Sequence, residues 1–399
     1  MIPYLGIFAT HPIQYHVPLW RKLAARSDVR IHVYYANDLS VKGGIDPEFG
    51  IPVKWDVPLL EGYKYSFLKN ISKNPGLGKG FWGLNCPEVK SICRQERFDA
   101  VLVHGYSLLF ELQVFQAAWH ENIPIMIRGD NREGTGMKKS FAFEYLRSMV
   151  LKQLYRRVNI GLAVGKYMRR HFLRHGMKEE DIIDCVHCID TDLMQRQKEL
   201  FLPQRNRLRS EAGITHDDVV LLFLGKLIPV KNPSLLVRAL QHLKLIPNLW
   251  IIVVGEGELR QKTERDLKQI MGAKAIFPGF VNQSEIGKYY VMGDVFVLPS
   301  KRETWGLVVN EAMLFGLPAL VSDRVGCRED LVINGKTGFV FPSDDETALV
   351  NNLQDILNKP YVLKQLGQTA AEHIKRYNAD AAVEGIIKAL ERIRMQRRS

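Results

Sequence analysis

The chain has 399 residues, beyond the length at which a single hydrophobic core keeps growing, so two domains are expected. With 46% hydrophobic and 25% charged residues, no low-complexity tract and no repeat at solenoid period, the composition excludes a disordered or repeat protein, and no apolar run reaches the roughly 18 residues of a spanning helix. The net charge of +12, from 55 basic and 43 acidic residues, points to acidic partners: a phosphorylated substrate, a membrane surface or nucleic acid.

The opening residues, MIPYLGIFATHPIQYH, run straight into a strand pattern without a basic leader region or cleavage site, and a cytoplasmic protein is expected. The runs YLGIFAT, VRIHVYYA, FDAVLVHG, IPIMIRG and IGLAVG then alternate with helical periods at VPLWRKLAARS, at about 108–120 and from about 138. Short apolar runs separated by helices are the pattern of a parallel sheet covered on both faces. Residues 69–85, KNISKNPGLGKGFWGLN, form a long Gly-rich loop, and loops of that length in compact domains are usually functional or mobile. Residues 138–174 hold ten Lys or Arg against one acid, Glu144, interleaved with Phe141, Phe143, Tyr145, Leu146, Met149 and Val150. They read as a basic amphipathic helix pair, suited to an anionic membrane or lipid phosphate or simply to solvent; nucleic acid is not the expected partner. Of the five cysteines, Cys185 and Cys188 make the one CxxC, at a strand end, where structural thiols are expected.

The polar stretch 189–204 is the expected domain boundary. Beyond it VVLLFLGK, LWIIVVGEG, AIFPGF, DVFVLPS, PALVSD and TGFVFP repeat the first half's grammar, so two doubly wound domains are expected. A last amphipathic helix spans about 379–396.

Chemistry concentrates in residues 294–318, DVFVLPSKRETWGLVVNEAMLFGLP. A buried-strand run ends at Ser300, a short loop presents Glu303, and a helix beginning near Gly306 carries Glu311. Carboxylates accept from sugar hydroxyls, and the free amides of Trp305, Gly306 and Leu307 at a helix start suit an anion. Upstream, LGKLIPVKN puts Lys226 and Lys231 on the loop leaving a strand, where two ammonium groups can clamp a diphosphate and neutralise it as it departs. The turns at Gly255 and at Phe280 and Val281 also close strands and can line a base and ribose.

The order GKLxPxK, VVGEGEL, PGFV, VFVLPS, the Glu303/Glu311 pair, GLPALVSDRVG and NGKTGFVFP resembles the retaining glycosyltransferases of family 4, over nearly all of 219–377. That resemblance implies the GT-B fold: two Rossmann-like domains facing across a cleft, an acceptor domain at 1–200, a nucleotide-sugar donor domain at 201–378, and a final helix, 379–399, returning to the first. It implies a metal-independent, retaining hexosyl transfer from a nucleotide-diphosphate sugar, with no cofactor, in glycan, glycolipid or polysaccharide synthesis. It also implies Glu303, with Thr304 beside it, on the donor sugar, Glu311 on the ribose, Lys226 and Lys231 on the diphosphate, and His104, which ends DAVLVHG, near the donor sugar. Two departures matter. Where the family has a Gly-rich first turn this chain reads ATHPIQYH, leaving His11, Gln14, Tyr15 and His16 as acceptor-side candidates, and His187 with Cys188 replaces the linker's Asn-Gly. RGDNREG adds Arg128, Asp130 and Arg132 to the acceptor side. The Asp190–Asp192 DTD resembles a metal-binding DxD but lies where the family has a turn-capping Asp, and no metal is expected. The rivals are a GT-B nucleotide-sugar 2-epimerase or phosphorylase, and a basic membrane- or nucleic-acid-binding protein without catalysis.

Overall fold

The computed structural model describes residues 2–46, 49–130, 140–243 and 248–397, and the chain divides into two compact units. The first contains Met1–Gly43, Pro58–Cys188 and Asn378–Ser399; the second contains Gly44–Val57 and Ile189–Tyr377. In chain order the strands are β1 (Tyr4–Ala9), β2 (Arg30–Tyr35), β3 (Gly44–Ile45), β4 (Pro52–Val53), β5 (Tyr65–Phe67), β6 (Ala100–His104), β7 (Ile125–Gly129), β8 (Ile160–Ala163) and β9 (Ile182–Asp184). They continue with β10 (Val219–Leu224), β11 (Leu249–Val254), β12 (Ala275–Gly279), β13 (Val295–Leu298), β14 (Ala319–Ser322) and β15 (Gly338–Phe341).

Runs of Val, Ile, Leu and Phe that are apolar on both faces are satisfied only inside a covered parallel sheet, and both units take that solution. Among the described residues the first sheet has the order β5-β2-β1-β6-β7-β8-β9 and the second β12-β11-β10-β13-β14-β15, every pairing parallel. Leu5, Ile7 and Phe8 in β1 and Val220, Leu221 and Leu222 in β10 are wholly buried, so each sheet's centre lies in its unit's core. Strand order reverses between β1 and β6 in one sheet and between β10 and β13 in the other. At such reversals the helices leave to opposite faces and a crevice opens beyond the carboxyl ends of the strands.

The stretch 189–204 is built into the second unit rather than running free. Asp190 accepts the Leu193 N–H at 2.9 Å and so caps the helix Thr191–Phe201. The final helix, Ala379–Gln396, joins the first unit, where Gly385 lets its backbone approach β9; a Cβ there would lie 2.2 Å from the Asp184 carbonyl oxygen. The loop 69–85 is tied to itself: the Ile71 N–H donates to Asn85 O at 2.8 Å, and Asn70 Oδ1 accepts from Ser72 and Asn85. All five cysteines are buried and unbridged.

Candidate active site

At the reversal of the second sheet, backbone hydrogen bonds lock three strand ends together. The Gly225 N–H donates to Val254 O at 3.0 Å, the Gly255 N–H to Gly279 O at 2.8 Å and the Leu227 N–H to Glu256 O at 2.8 Å. The approach is so close that a Cβ on Gly255, whose φ is 137°, would sit 2.0 Å from Gly225 O. That stack presents Lys226 directly after β10 and Lys231 at the end of the 3₁₀ turn Pro229–Lys231. The Lys301 N–H, beyond β13, donates to Val230 O at 2.8 Å, which brings the Glu303 loop alongside. Lys231 and Glu303 form a partly buried ion pair, so the structure joins two of the residues singled out from sequence.

Behind Glu303 the loop is pinned at several points. The Glu303 N–H donates to Arg324 O at 3.1 Å, Trp305 Nε1 donates to Asn310 Oδ1 at 2.9 Å, and the Cys327 N–H donates to Trp305 O at 2.9 Å. A Cβ on Gly326 would lie 1.7 Å from Thr304 O, so that glycine is what allows the loop to close down. Gly306 takes φ 97° to start the helix Leu307–Leu314, where the Val309 N–H donates to Gly306 O at 2.9 Å and the amides before it begin the helix's free end. Glu311 lies deeper than Glu303. It is 1% exposed and accepts the Tyr290 hydroxyl at 2.6 Å, whereas the Glu303 side chain is 15% exposed. The helix is apolar around its whole circumference, which buries Glu311 with it.

Three residues at this site were not found by reading the sequence. The antiparallel pair β3 and β4 lies early in the chain yet belongs to the second unit. From it Asp46 places both carboxylate oxygens 3.1 Å from Lys226 Nζ, and the Phe49 ring lies 4.6 Å from that ammonium. Phe49 and, just beyond β4, Trp55 pack on Phe280 with centroids 5.2 and 6.2 Å away. Nothing local in GGIDPEFGIPVKW names the distant partners of this hairpin. Val281, after Phe280, is half-buried.

In the first unit the corresponding edge gathers imidazoles. His104 ends β6 and pairs in register with Arg128 of β7, so both project to one side of the sheet. The His16 ring, at the start of the helix Val17–Ala24, is 4.6 Å from His104 and 6.4 Å from His187, and Trp20 meets His104 edge-on. Burial pulls the His104 pKa down to about 3, with Arg128 and His187 adding to the effect, and burial alone takes His11 to about 4. His16 is likewise held well below its usual range, first by burial and then by His104 and Arg128. Asp130 stands 3.7 Å from His187 Nε2, and Arg128, 2% exposed, donates to Val186 O at 3.2 Å. His187 was noted in the sequence only as a departure in the linker. Gln14 and Tyr15 lie half-buried in the turn before the helix, while Arg132, like Lys138 and Lys139, lies outside the described residues. Among the described residues no group of three or more His, Cys, Asp or Glu is arranged to hold a metal ion.

Residues 204–373 match the family model of glycosyl transferases group 1. The chain is 33% identical over 189 residues to sulfoquinovosyl transferase SQD2 of Arabidopsis thaliana, covering 47% of this chain and 36% of that protein. It is 32% identical over 184 residues to the glycosyltransferase EpsD of Bacillus subtilis strain 168, with 45% and 47% covered, and 30% identical over 189 residues to a D-inositol 3-phosphate glycosyltransferase of Streptomyces avermitilis, with 45% and 40% covered. The matched stretch thus spans less than half of each relative. The likeness extends over the whole chain only in structure. Anabaena Alr3699/HepE, solved with UDP and glucose, superposes with a TM-score of 0.70 at 17% identity, covering 98% of this chain and 99% of that one. Sucrose-phosphate synthase of Thermosynechococcus elongatus gives 0.71 at 18%, covering 99% and 100%. At such identities the shared property is the fold, which is GT-B.

Proposed function

We propose that the protein is a retaining, metal-independent glycosyltransferase that moves a hexose-type sugar from a nucleotide-diphosphate donor to an acceptor hydroxyl. The observation that carries this reading is the Lys231–Glu303 ion pair at the strand-order reversal of a sheet whose residues match the group 1 glycosyltransferase model, with Lys226 on the same strand-end loop as Lys231. It is supported by Alr3699/HepE, which was solved with UDP and with UDP-glucose, and by relatives named as a D-inositol 3-phosphate glycosyltransferase and as an alpha-monoglucosyldiacylglycerol synthase of Acholeplasma laidlawii.

In this mechanism the bond between the anomeric carbon and the β-phosphate oxygen breaks as the acceptor oxygen bonds to the same face of that carbon. The acceptor proton passes to the departing phosphate oxygen. The protein's contribution is positioning and neutralisation: Lys226, Lys231 and the amides of Gly306 and Leu307 take the diphosphate, and Glu303 exchanges Lys231 for donor-sugar hydroxyls. Glu311 acts on the ribose side, and His104, neutral at working pH, serves beside the anomeric centre. His11, His16, Arg128 and Asp130 face the acceptor.

The proposed setting is the cytoplasm, at the surface of an anionic membrane. No helix of the described residues is long and apolar enough to cross a bilayer. The helix Phe141–Tyr155 nevertheless exposes Phe143, Tyr145, Leu146, Met149 and Val150, with Lys152, Arg156 and Arg157 also at the surface. A screen of UDP-, GDP- and other nucleotide sugars for slow hydrolysis and thermal stabilisation tests the function. One nucleotide sugar is expected to raise Tm and to be hydrolysed with the anomeric configuration kept; silence across the panel, or C2 inversion of the donor sugar without acceptor, would refute it.

A further inference from the structure

The hairpin that carries Asp46 sits on two residues assigned to the donor. Asp46 meets Lys226 with both oxygens, Phe49 covers the same ammonium, and Phe49 with Trp55 packs on Phe280. Its far end is fastened too: Asn282 Nδ2 donates to Lys54 O at 2.7 Å, and the Ser284 N–H donates to Asp56 at 3.2 Å. A diphosphate and a carboxylate cannot share one ammonium without like-charge repulsion, and the Asp46 and Lys226 side chains are only 30% and 24% exposed, where screening is weaker.

We infer that Asp46 is an affinity-setting residue of the donor site, an internal carboxylate that occupies Lys226 until the diphosphate of a nucleotide displaces it. The hairpin is then a built-in competitor, and apparent donor affinity is intrinsic affinity reduced by the fraction of molecules in which Lys226 is already taken. The second carboxylate pairing, Glu303 on Lys231, differs in kind, because Glu303 is itself a donor ligand. The inference rests on the reading of Lys226 as a diphosphate ligand.

Calorimetric titration of the full chain with UDP and with GDP, for D46N, D56N and K226Q beside the unaltered protein, tests it. D46N is expected to bind the preferred nucleotide roughly two- to fivefold more tightly, the range set by one partly screened ion pair. D56N loosens the hairpin at Ser284 without touching Lys226 and should shift affinity the same way. The nucleotide should also change a Trp fluorescence signal that W55F abolishes, since release takes Trp55 off Phe280. If K226Q weakens binding while D46N leaves it unchanged or weaker, the competitor idea is wrong and the donor site stands. If K226Q leaves binding intact, or neither nucleotide binds at all, both readings fall.

Discussion

Lys231 and Glu303 neutralise one another in the structure, and the proposed reaction gives each a separate task once a donor arrives. K231Q removes a charge-assisted contact of about 1.5–3 kcal/mol and should weaken nucleotide binding on the order of ten- to a hundredfold by calorimetry. E303Q should leave nucleotide diphosphate affinity unchanged or slightly tighter, because it frees Lys231, and should lower kcat with the full nucleotide sugar on the order of ten- to a hundredfold, because the sugar hydroxyls lose a charged partner. The histidines set a pH limit. His11 and His104 titrate at about 4 and about 3 in the folded chain against 6.5 when unfolded, so the unfolded chain binds more protons between those values. Stability from these groups is therefore complete above pH 6.5 and is lost as pH falls toward 4. A thermal-denaturation series from pH 7.5 to 5 should show Tm falling, and H104Q should flatten that slope.

Glycine decides what the elements around the site can do. Gly306 holds φ 97° with Val325 and Glu303 carbons 3.2 and 3.3 Å from where a Cβ would be, so G306A should cost about 1–2 kcal/mol of stability and push the Glu303 loop outward. Differential scanning calorimetry reads the first effect and donor kcat the second. The sheets were legible because buried parallel strands announce themselves as unbroken apolar runs bounded by Gly, Pro and Asp; VVLLFL and LWIIVV lie where those runs predicted. Lys231 and Glu303 were each singled out from their strand-end positions, although their pairing was not read from sequence. The burial of Glu311 carried a readable signal that the carboxylate pair obscured: LVVNEAML is apolar on every side and so reads as an interior helix. The hairpin at β3 and β4 was not legible. Strands of two residues have almost no periodicity, and Asp46 meets Lys226 across 180 positions of chain.

At the scale of the molecule, charge and exposed apolar surface fall on the first unit's helix Phe141–Tyr155, although not every basic residue nearby is available. Arg169 is engaged by Glu179 and Asp184. Vesicles containing about 30% anionic lipid should bind the protein, with binding weakening as salt rises and lost for neutral vesicles. The pair L146E and V150E should reduce binding at least about tenfold, since each apolar side chain withheld from the bilayer forgoes about 1.5–3 kcal/mol. The division of the chain has a practical meaning for anyone who would take it apart. The polypeptide passes between the two units after Gly43, Val57, Cys188 and Tyr377, so no single scissor cut yields both intact. A fragment beginning at Ile189 would arrive without the strip that covers Phe280, leaving an aromatic ring bare to water, and its tendency to clump would say nothing about the fold it left behind.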